Sequence, residues 1–142
     1  MRAADDRGES MVELLVAMLL MGTAVVAIVG GLSNAIMMSD IHRKQATIAT
    51  LLDRYAASIE NAVATTGYQD CAGSPGHGTY PSFAVAQPGY TADPFLVSYW
   101  NGTTTFVGPS CTTDTGVQRV TLRVHSNDGR VSLSRDIVIR RP

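Results

Sequence analysis

The stretch GESMVELLVAMLLMGTAVVAIVGGLSNAIMMS, residues 8–39, carries the longest apolar run of the chain. Its larger part, residues 14–39, contains no aspartate, glutamate, lysine or arginine. A helix needs only about 20 apolar residues to cross the hydrocarbon core of a bilayer. We therefore predict one membrane-spanning helix over residues 9–39.

A carboxylate, Glu13, stands at the start of this run, where it is unexpected. A charged side chain facing lipid near mid-bilayer costs on the order of 2.5–3.5 kcal/mol, so such residues usually have a partner or a function. One explanation is a capping box, with Ser10 as the N-cap and Glu13 as the third helical residue, favourable to the helix dipole. A capping box suits a plain signal anchor, and it can coexist with a functional role.

Residues 8–16, Gly-Glu-Ser-Met-Val-Glu-Leu-Leu-Val, resemble the N-terminal signature of type IV pilins and type II secretion pseudopilins. In that family a prepilin peptidase cuts after the glycine and methylates the new N-terminus. A glutamate five residues into the mature chain then aids docking in a filament. The resemblance implies cleavage between Gly8 and Glu9, methylation of Glu9 and docking by Glu13. Two features depart from the family: phenylalanine is commoner at the position of Glu9, and Gly30-Gly31 replaces the proline of many major pilins.

Cleavage would also create a partner for the carboxylate. The new N-terminus at Glu9 would carry a cationic amine, and a neighbouring helix shifted along a filament could place its own Glu13 beside that amine. Opposite charges attract more strongly in a low-dielectric setting than in water. The resemblance therefore implies other pilin subunits, the prepilin peptidase and the cytoplasmic membrane as partners.

The segments on either side of the apolar run fit this interpretation. Residues 1–8 lack the apolar region of a three-part secretory signal, so we expect a short cytoplasmic leader. Residues 40–66 continue the helical period with one apolar stripe, which predicts an amphipathic continuation that something must cover. We expect one helix from about Ser10 to about Thr66, stopped by Gly67. The stripe consists of Ile41, Ile48, Leu52, Tyr55, Ile59 and Val63.

The remaining sequence predicts a connecting loop and then a small sheet. Residues 67–94 are rich in glycine and proline, which break regular elements. In residues 95–142, Asn101-Gly102 predicts a hairpin turn between two short strands. A longer hairpin follows, with its turn at residues 127–129 and its apolar face packed on the helical stripe. The expected fold class is α+β, pilin-like, with a long N-terminal helix on an antiparallel sheet of about four strands.

Two cysteines, Cys71 and Cys111, are expected to form a disulfide if this domain is exported. Closing a loop of about 40 residues is worth roughly 4 kcal/mol in the chain-entropy model. The three histidines, His42, His77 and His125, show no ligand spacing with either cysteine, so we predict no metal site.

Enzymatic chemistry leaves no signature in the sequence. The motifs G-x-S-x-G, H-E-x-x-H, the P-loop and G-x-G-x-x-G do not occur. The net charge of −1 argues against a general electrostatic attraction to nucleic acid. We therefore predict neither an enzyme nor a cofactor.

Two functions follow as hypotheses. The first is a structural subunit, a minor pilin or pseudopilin, held in a bacterial cytoplasmic membrane by a single span with its C-terminal domain outside, then packed into a cell-surface filament. The second is a membrane-anchored binding module, including a pilus-tip subunit that contacts DNA through Arg119, Arg123 and Arg130. Arginines that alternate with apolar residues are also what the solvated face of a half-buried strand shows, and we favour that interpretation. DNA binding through these arginines would weaken steeply with salt.

Overall fold

A computed structural model describes residues 6–142, with side chains described from Met11 onward. Residues 1–5 of the predicted leader lie outside this range. The chain forms two compact units, one ending at Asp40 and the other comprising Ile41–Pro142. The second unit contains the sheet and a hydrophobic core.

One long helix, α1, spans Asp6–Thr66. It begins before the predicted start at Ser10, so Ser10 lies within the helix and is not its N-cap. The capping-box explanation is therefore wrong, because an N-cap residue has non-helical backbone angles. The predicted stop is confirmed: Gly67 adopts a left-handed φ of 86°, and its N–H donates to the carbonyl of Val63 at 3.0 Å.

The apolar part of α1 is exposed along its length. Every valine, leucine, isoleucine and methionine from Met11 to Met38 is 48–75% exposed. By length and composition, α1 is apolar enough to cross a membrane, and it is the one such helix in the described part of the chain. The structure thus contains a single candidate membrane span near the N-terminus.

The second part of α1 supplies one side of the core. The predicted stripe is confirmed, because its four central members are almost fully buried and its two outer members, Ile41 and Val63, are partly buried against the core. Ile48 and Ile59 are 0% exposed. Residues spaced by three, four and seven lie on one face of a helix, which explains the stripe.

The sheet contains five antiparallel strands. They are β1 (Tyr90–Ala92), β2 (Leu96–Trp100), β3 (Phe106–Val107), β4 (Val117–Ser126) and β5 (Ser132–Arg140). The central strand is β4, which pairs along one edge with β5 and along the other with β2 and then β1. Its inward residues Val120, Leu122 and Val124 are 0% exposed and belong to the core cluster that contains the helical stripe.

Strand β1 falls inside the segment that was predicted to be loop, residues 67–94. The prediction missed it because Gly89 and Pro94 flank a run of only four residues, too short to give a period. The strand exists because β4 supplies its partner, with Thr91 opposite His125. Strand formation here depends on a long-range pairing that local sequence does not show.

A bulge separates β1 from β2 on the same edge of β4. Ala92 pairs with Val124 and Leu96 pairs with Thr121, so three residues, 93–95, oppose two on β4. Asp93 donates its N–H to the carbonyl of Arg123 at 3.0 Å. Pro94, which has no N–H to donate, is accommodated at this interruption of the ladder.

The predicted two-residue turn at Asn101-Gly102 is wrong in length. A five-residue loop, residues 101–105, joins β2 to β3. The side-chain oxygen of Asn101 accepts the backbone N–H groups of Thr103, Thr104 and Thr105 at 2.9, 3.0 and 3.2 Å. The Asn101 side chain therefore supplies the hydrogen-bond acceptor for backbone N–H groups of the loop. In a two-residue turn, backbone carbonyls would accept such hydrogen bonds.

The predicted β4–β5 hairpin is present, with a slightly longer turn. Ser126 and Val131 close a four-residue loop, because the N–H of Ser126 donates to the carbonyl of Val131 at 2.9 Å. Gly129 takes the left-handed position, with φ of 71°. Lys44 on α1 donates to the carboxylate of Asp128 at 2.5 Å, so the turn is tied to the helix.

Candidate functional site

The disulfide joins Cys71, just after α1, to Cys111, before β4, as predicted. Their Cα atoms are 5.5 Å apart, and 40 residues separate them in the sequence. Cys71 is 6% exposed, whereas Cys111 is half-buried. The backbone of Cys71 is left-handed, with φ of 52°, which is uncommon for a residue other than glycine. The chain therefore turns sharply where the bridge begins.

Beside the bridge, the half-buried carboxylate of Asp114 accepts four hydrogen bonds. One oxygen accepts the hydroxyl of Tyr68 at 2.8 Å and the N–H of Gly116 at 2.7 Å. The other accepts the N–H of Cys71 at 2.8 Å and the side-chain amide of Gln118 at 2.7 Å. Hydrogen bonds to a charged acceptor are roughly twice as strong as those between neutral groups. Asp114 thus holds the start of the loop against the sheet.

Gln118 extends this network into the core. The side chain is 0% exposed, and its amide also donates to the carbonyl of Gln69 at 2.8 Å. Its oxygen accepts the hydroxyl of Tyr80 at 3.1 Å. Every polar atom of this buried amide therefore has a partner, as a stable buried network requires. Sequence reasoning missed Asp114 and Gln118, since their partners are distant in the chain and no periodicity marks them.

The network shifts the pKa values of its members. Burial raises the pKa of the Asp114 carboxyl, but the hydrogen bonds from Cys71, Gln118, Gly116 and Tyr68 outweigh burial and hold the pKa below its ordinary value. Burial and the neighbouring Asp114 carboxylate raise the pKa of the Tyr68 hydroxyl. Burial is also the main cause of the raised pKa of Tyr80. Asp114 is therefore ionised and Tyr68 protonated at neutral pH.

Acid should weaken this network. Because the folded-state pKa of Asp114 lies below the ordinary value of about 3.9, its stabilising contribution is present above that value and is lost as pH falls through the folded pKa. At neutral pH, Asp114→Asn should lower the free energy of unfolding by about 2 kcal/mol, since donors in the network lose their acceptor. At acid pH the variant and the natural chain should differ less than at neutral pH.

Denaturant unfolding at these two pH values, followed by the fluorescence of the single tryptophan, Trp100, would measure this difference. Asp136→Asn, at an exposed position of β5, is the matched control. An Asp114→Asn difference of the same size at both pH values would contradict the assignment.

Cys71, Cys111 and Asp114 also bring together three atoms of the kind that bind metals, all within 4.8 Å of one another. In the disulfide neither sulfur is a thiolate, which is the form that binds a metal. His42, His77 and His125 do not belong to this group. The three residues therefore form a disulfide with a carboxylate beside it, not a set of metal-binding thiolates.

The three arginines singled out in the sequence do not form one patch. Arg119 and Arg123 lie on the outward face of β4, whereas Arg130 lies in the β4–β5 loop. Each has a carboxylate nearby: Arg119 lies 3.9 Å from Asp136, Arg123 lies 3.6 Å from Asp93 and Arg130 lies 3.8 Å from Asp128.

Packing also occupies these arginines. The guanidinium of Arg119 sits 4.9 Å from the ring centre of Phe106, and Arg123 donates to the hydroxyl of Ser132 at 3.0 Å. Because each arginine has a carboxylate nearby, the structure favours the solvated-strand interpretation. DNA contact by these arginines stays an untested prediction.

A groove of about 600 Å³ lies on the outer side of the bulge, between Asp93 and Ser134. Asp93 approaches the imidazole of His125 at 3.3 Å, and Ser132 is the cross-strand neighbour of His125. The Ser132 hydroxyl, however, accepts from Arg123. Among the described residues no hydrogen bond joins it to His125, so the nucleophile–base contact of a hydrolase is missing here.

The N-terminal motif lies at the start of α1. The backbone at Gly8 and Glu9 is helical, while the side chain of Glu9 lies outside the description. Glu13 is exposed. The cleavage, methylation and docking assignments remain predictions.

Comparison of the chain with models of known protein families, with curated proteins and with solved structures found no match.

Proposed function

We propose that this chain is a structural filament subunit, a minor type IV pilin or type II secretion pseudopilin, cleaved between Gly8 and Glu9. One observation carries the proposal: the Gly8-to-Glu13 motif opens a helix whose apolar residues are exposed along the following turns. An apolar surface of this size needs lipid or other apolar helices around it. A filament subunit has such surroundings throughout, first the lipid of the membrane and then the apolar helices of the filament core.

The second unit supports a structural role. The amphipathic part of α1 is covered by the chain's own sheet, so the apolar surface left to cover lies in the earlier part of the helix. The disulfide and the Asp114 network tie the segment after α1 to the residues before β4. Outward arginines are paired with carboxylates. These features suit a rigid domain displayed outside the cell more than an enzyme.

In this proposal the partners act in sequence. The cytoplasmic membrane holds the precursor, the prepilin peptidase removes residues 1–8 and methylates Glu9, and other pilin subunits receive the mature helix. Glu13 then meets the amine of a neighbouring Glu9, where low dielectric strengthens the attraction. The domain from Ile41 onward faces the extracytoplasmic side of a bacterial membrane and later the filament surface.

Mass spectrometry of the N-terminal peptide tests this proposal. The full chain would be expressed in its native host and extracted from membranes, beside Gly8→Ala and the control Gly22→Ala. Gly22 has open space around it, so an added methyl group meets no neighbour. We expect the natural chain and Gly22→Ala to begin at a methylated Glu9, and Gly8→Ala to keep Met1.

An intact leader on the natural chain, on Gly8→Ala and on Gly22→Ala would contradict the filament proposal. The motif would then be the start of a signal anchor, and a membrane-anchored binding module would be the better hypothesis. A cleaved but unmethylated chain would show entry into a different processing route and would also count against the pilin assignment.

A further inference from the structure

The carboxylate of Asp114 lies directly beside the disulfide. One of its oxygens and the sulfurs of Cys71 and Cys111 all lie within 4.8 Å of one another. The N–H of Cys71 donates to that carboxylate at 2.8 Å, so the backbone of a bridged residue itself fixes the position of the anion. The arrangement places a negative charge where any reaction of the disulfide must occur.

Neighbouring groups do not cancel this charge. The four donors to Asp114 are neutral: a hydroxyl, an amide side chain and two backbone N–H groups. A cation that interacts with Asp114, Arg141, is paired with Asp70 and stacks on the ring of Tyr68. Asp70 and Arg141 together are neutral, so Asp114 leaves a net negative charge beside the sulfurs.

Reduction of a disulfide by a thiol creates negative charge at this place. A reductant thiolate attacks one sulfur and forms a mixed disulfide, while the Cys71–Cys111 bond breaks and its electron pair leaves on the other sulfur as a thiolate. A second thiolate then attacks the mixed disulfide, releases the second cysteine and departs as the oxidised reductant. The two cysteine thiolates take up protons from water. Cys111 is the more exposed residue of the pair, so we expect attack at its sulfur, with Cys71 leaving beside Asp114.

We propose that Asp114 protects the Cys71–Cys111 disulfide from anionic thiol reductants, because its carboxylate repels the incoming anion. This is a kinetic role in addition to the hydrogen bonds that Asp114 accepts. It makes the bridge durable in surroundings that contain small thiols, and it does not depend on whether the chain is cleaved or assembled.

The test compares two small thiols of opposite charge on the full chain in detergent micelles at low salt. One is 2-mercaptoethanesulfonate, an anion, and the other is cysteamine, a cation. Loss of the disulfide would be timed by alkylating free thiols and weighing the protein. We expect Asp114→Asn to raise the ratio of the anionic to the cationic reduction rate roughly tenfold. Any loosening of the network speeds both thiols alike, whereas Coulomb repulsion depends on the reductant's charge.

Tyr68→Phe is the matched control. It removes one hydrogen bond to the same carboxylate and leaves the charge in place, so it should change both rates by the same factor. If Asp114→Asn also speeds both thiols equally, the carboxylate acts only through its hydrogen bonds and the proposal is overturned.

A salt titration of the natural chain provides a second test that needs no variant to fold. Raising ionic strength from about 0.01 M to about 1 M shortens the screening length from roughly 30 Å to roughly 3 Å. The ratio of the anionic to the cationic reduction rate should therefore rise with salt. A ratio that does not change would equally overturn the proposal.

Discussion

Replacing both Cys71 and Cys111 by serine should lower the free energy of unfolding by roughly 4 kcal/mol. The bridge closes a loop of 40 residues, and in the chain-entropy model removing such a constraint gives the unfolded chain that much extra freedom. This is a large share of the stability of a small domain, which typically totals about 5–15 kcal/mol. We expect the variant to be folded only marginally.

Urea unfolding of the full chain in detergent micelles, monitored by Trp100 fluorescence, would measure this loss. The natural chain under reducing conditions should match the double serine variant, because both lack the same constraint. Ser58→Ala, in the second part of α1, is a control for a small side-chain change that leaves the disulfide intact. A loss below about 1 kcal/mol would show that the Asp114 network alone holds the loop in place.

Tyr55→Ala should cost a comparable amount, about 3–5 kcal/mol. Tyr55 is 1% exposed at the centre of the helical stripe, and its ring stacks on Phe83 with centroids 5.0 Å apart. Truncation would remove this stacking and leave a void between α1 and the loop after it. It would also enlarge an existing cavity of about 330 Å³, which Tyr55, Phe83 and Phe95 help to line.

The same unfolding measurement separates the ring of Tyr55 from its hydroxyl. Burial raises the pKa of Tyr55 above its ordinary value and outweighs the lowering by backbone hydrogen bonding at Phe95 and Phe83. Tyr55→Phe keeps the ring and should cost only about 1 kcal/mol. Arg54→Ala, at the adjacent exposed position, should change little. Equal losses for Tyr55→Ala and Tyr55→Phe would mean that the hydroxyl, not packing, carries the effect.

The helix was the most predictable element because its evidence is local. The run of residues 14–39 contains no charge, and the stripe that follows repeats at helical spacing, so each segment indicates its structure without reference to the rest of the chain. The end at Gly67 was equally readable, since glycine adopts the left-handed angle at low cost. The start was not, because glycine and serine are weak helix formers that do not by themselves stop a helix, and the sequence has no proline there to mark its beginning.

Strand β4 and its hairpin were readable for the same reason. Val120, Leu122 and Val124 alternate with polar residues, and the period of two places them on one face. Strand β1 and the loop after Asn101 were misread because short runs carry too few repeats. The structure of β1 depends on the hydrogen bonds that β4 supplies, and the structure of the loop depends on those that the Asn101 side chain accepts.

The sequence by itself determined the long helix, its apolar first part, the stripe of its second part, the β4–β5 hairpin and the pairing of the only two cysteines. Those features depend on the type and spacing of residues, in most cases of residues that lie close together in the chain, so the sequence alone shows them. Only the tertiary structure decided that Asp114 and Gln118 join the start of the loop to the sheet, that a bulge at Pro94 divides one edge, and that Arg119 and Arg123 meet carboxylates. Each of these depends on residues far apart in the chain, brought together because burying apolar surface outweighs the cost of ordering the loops between them.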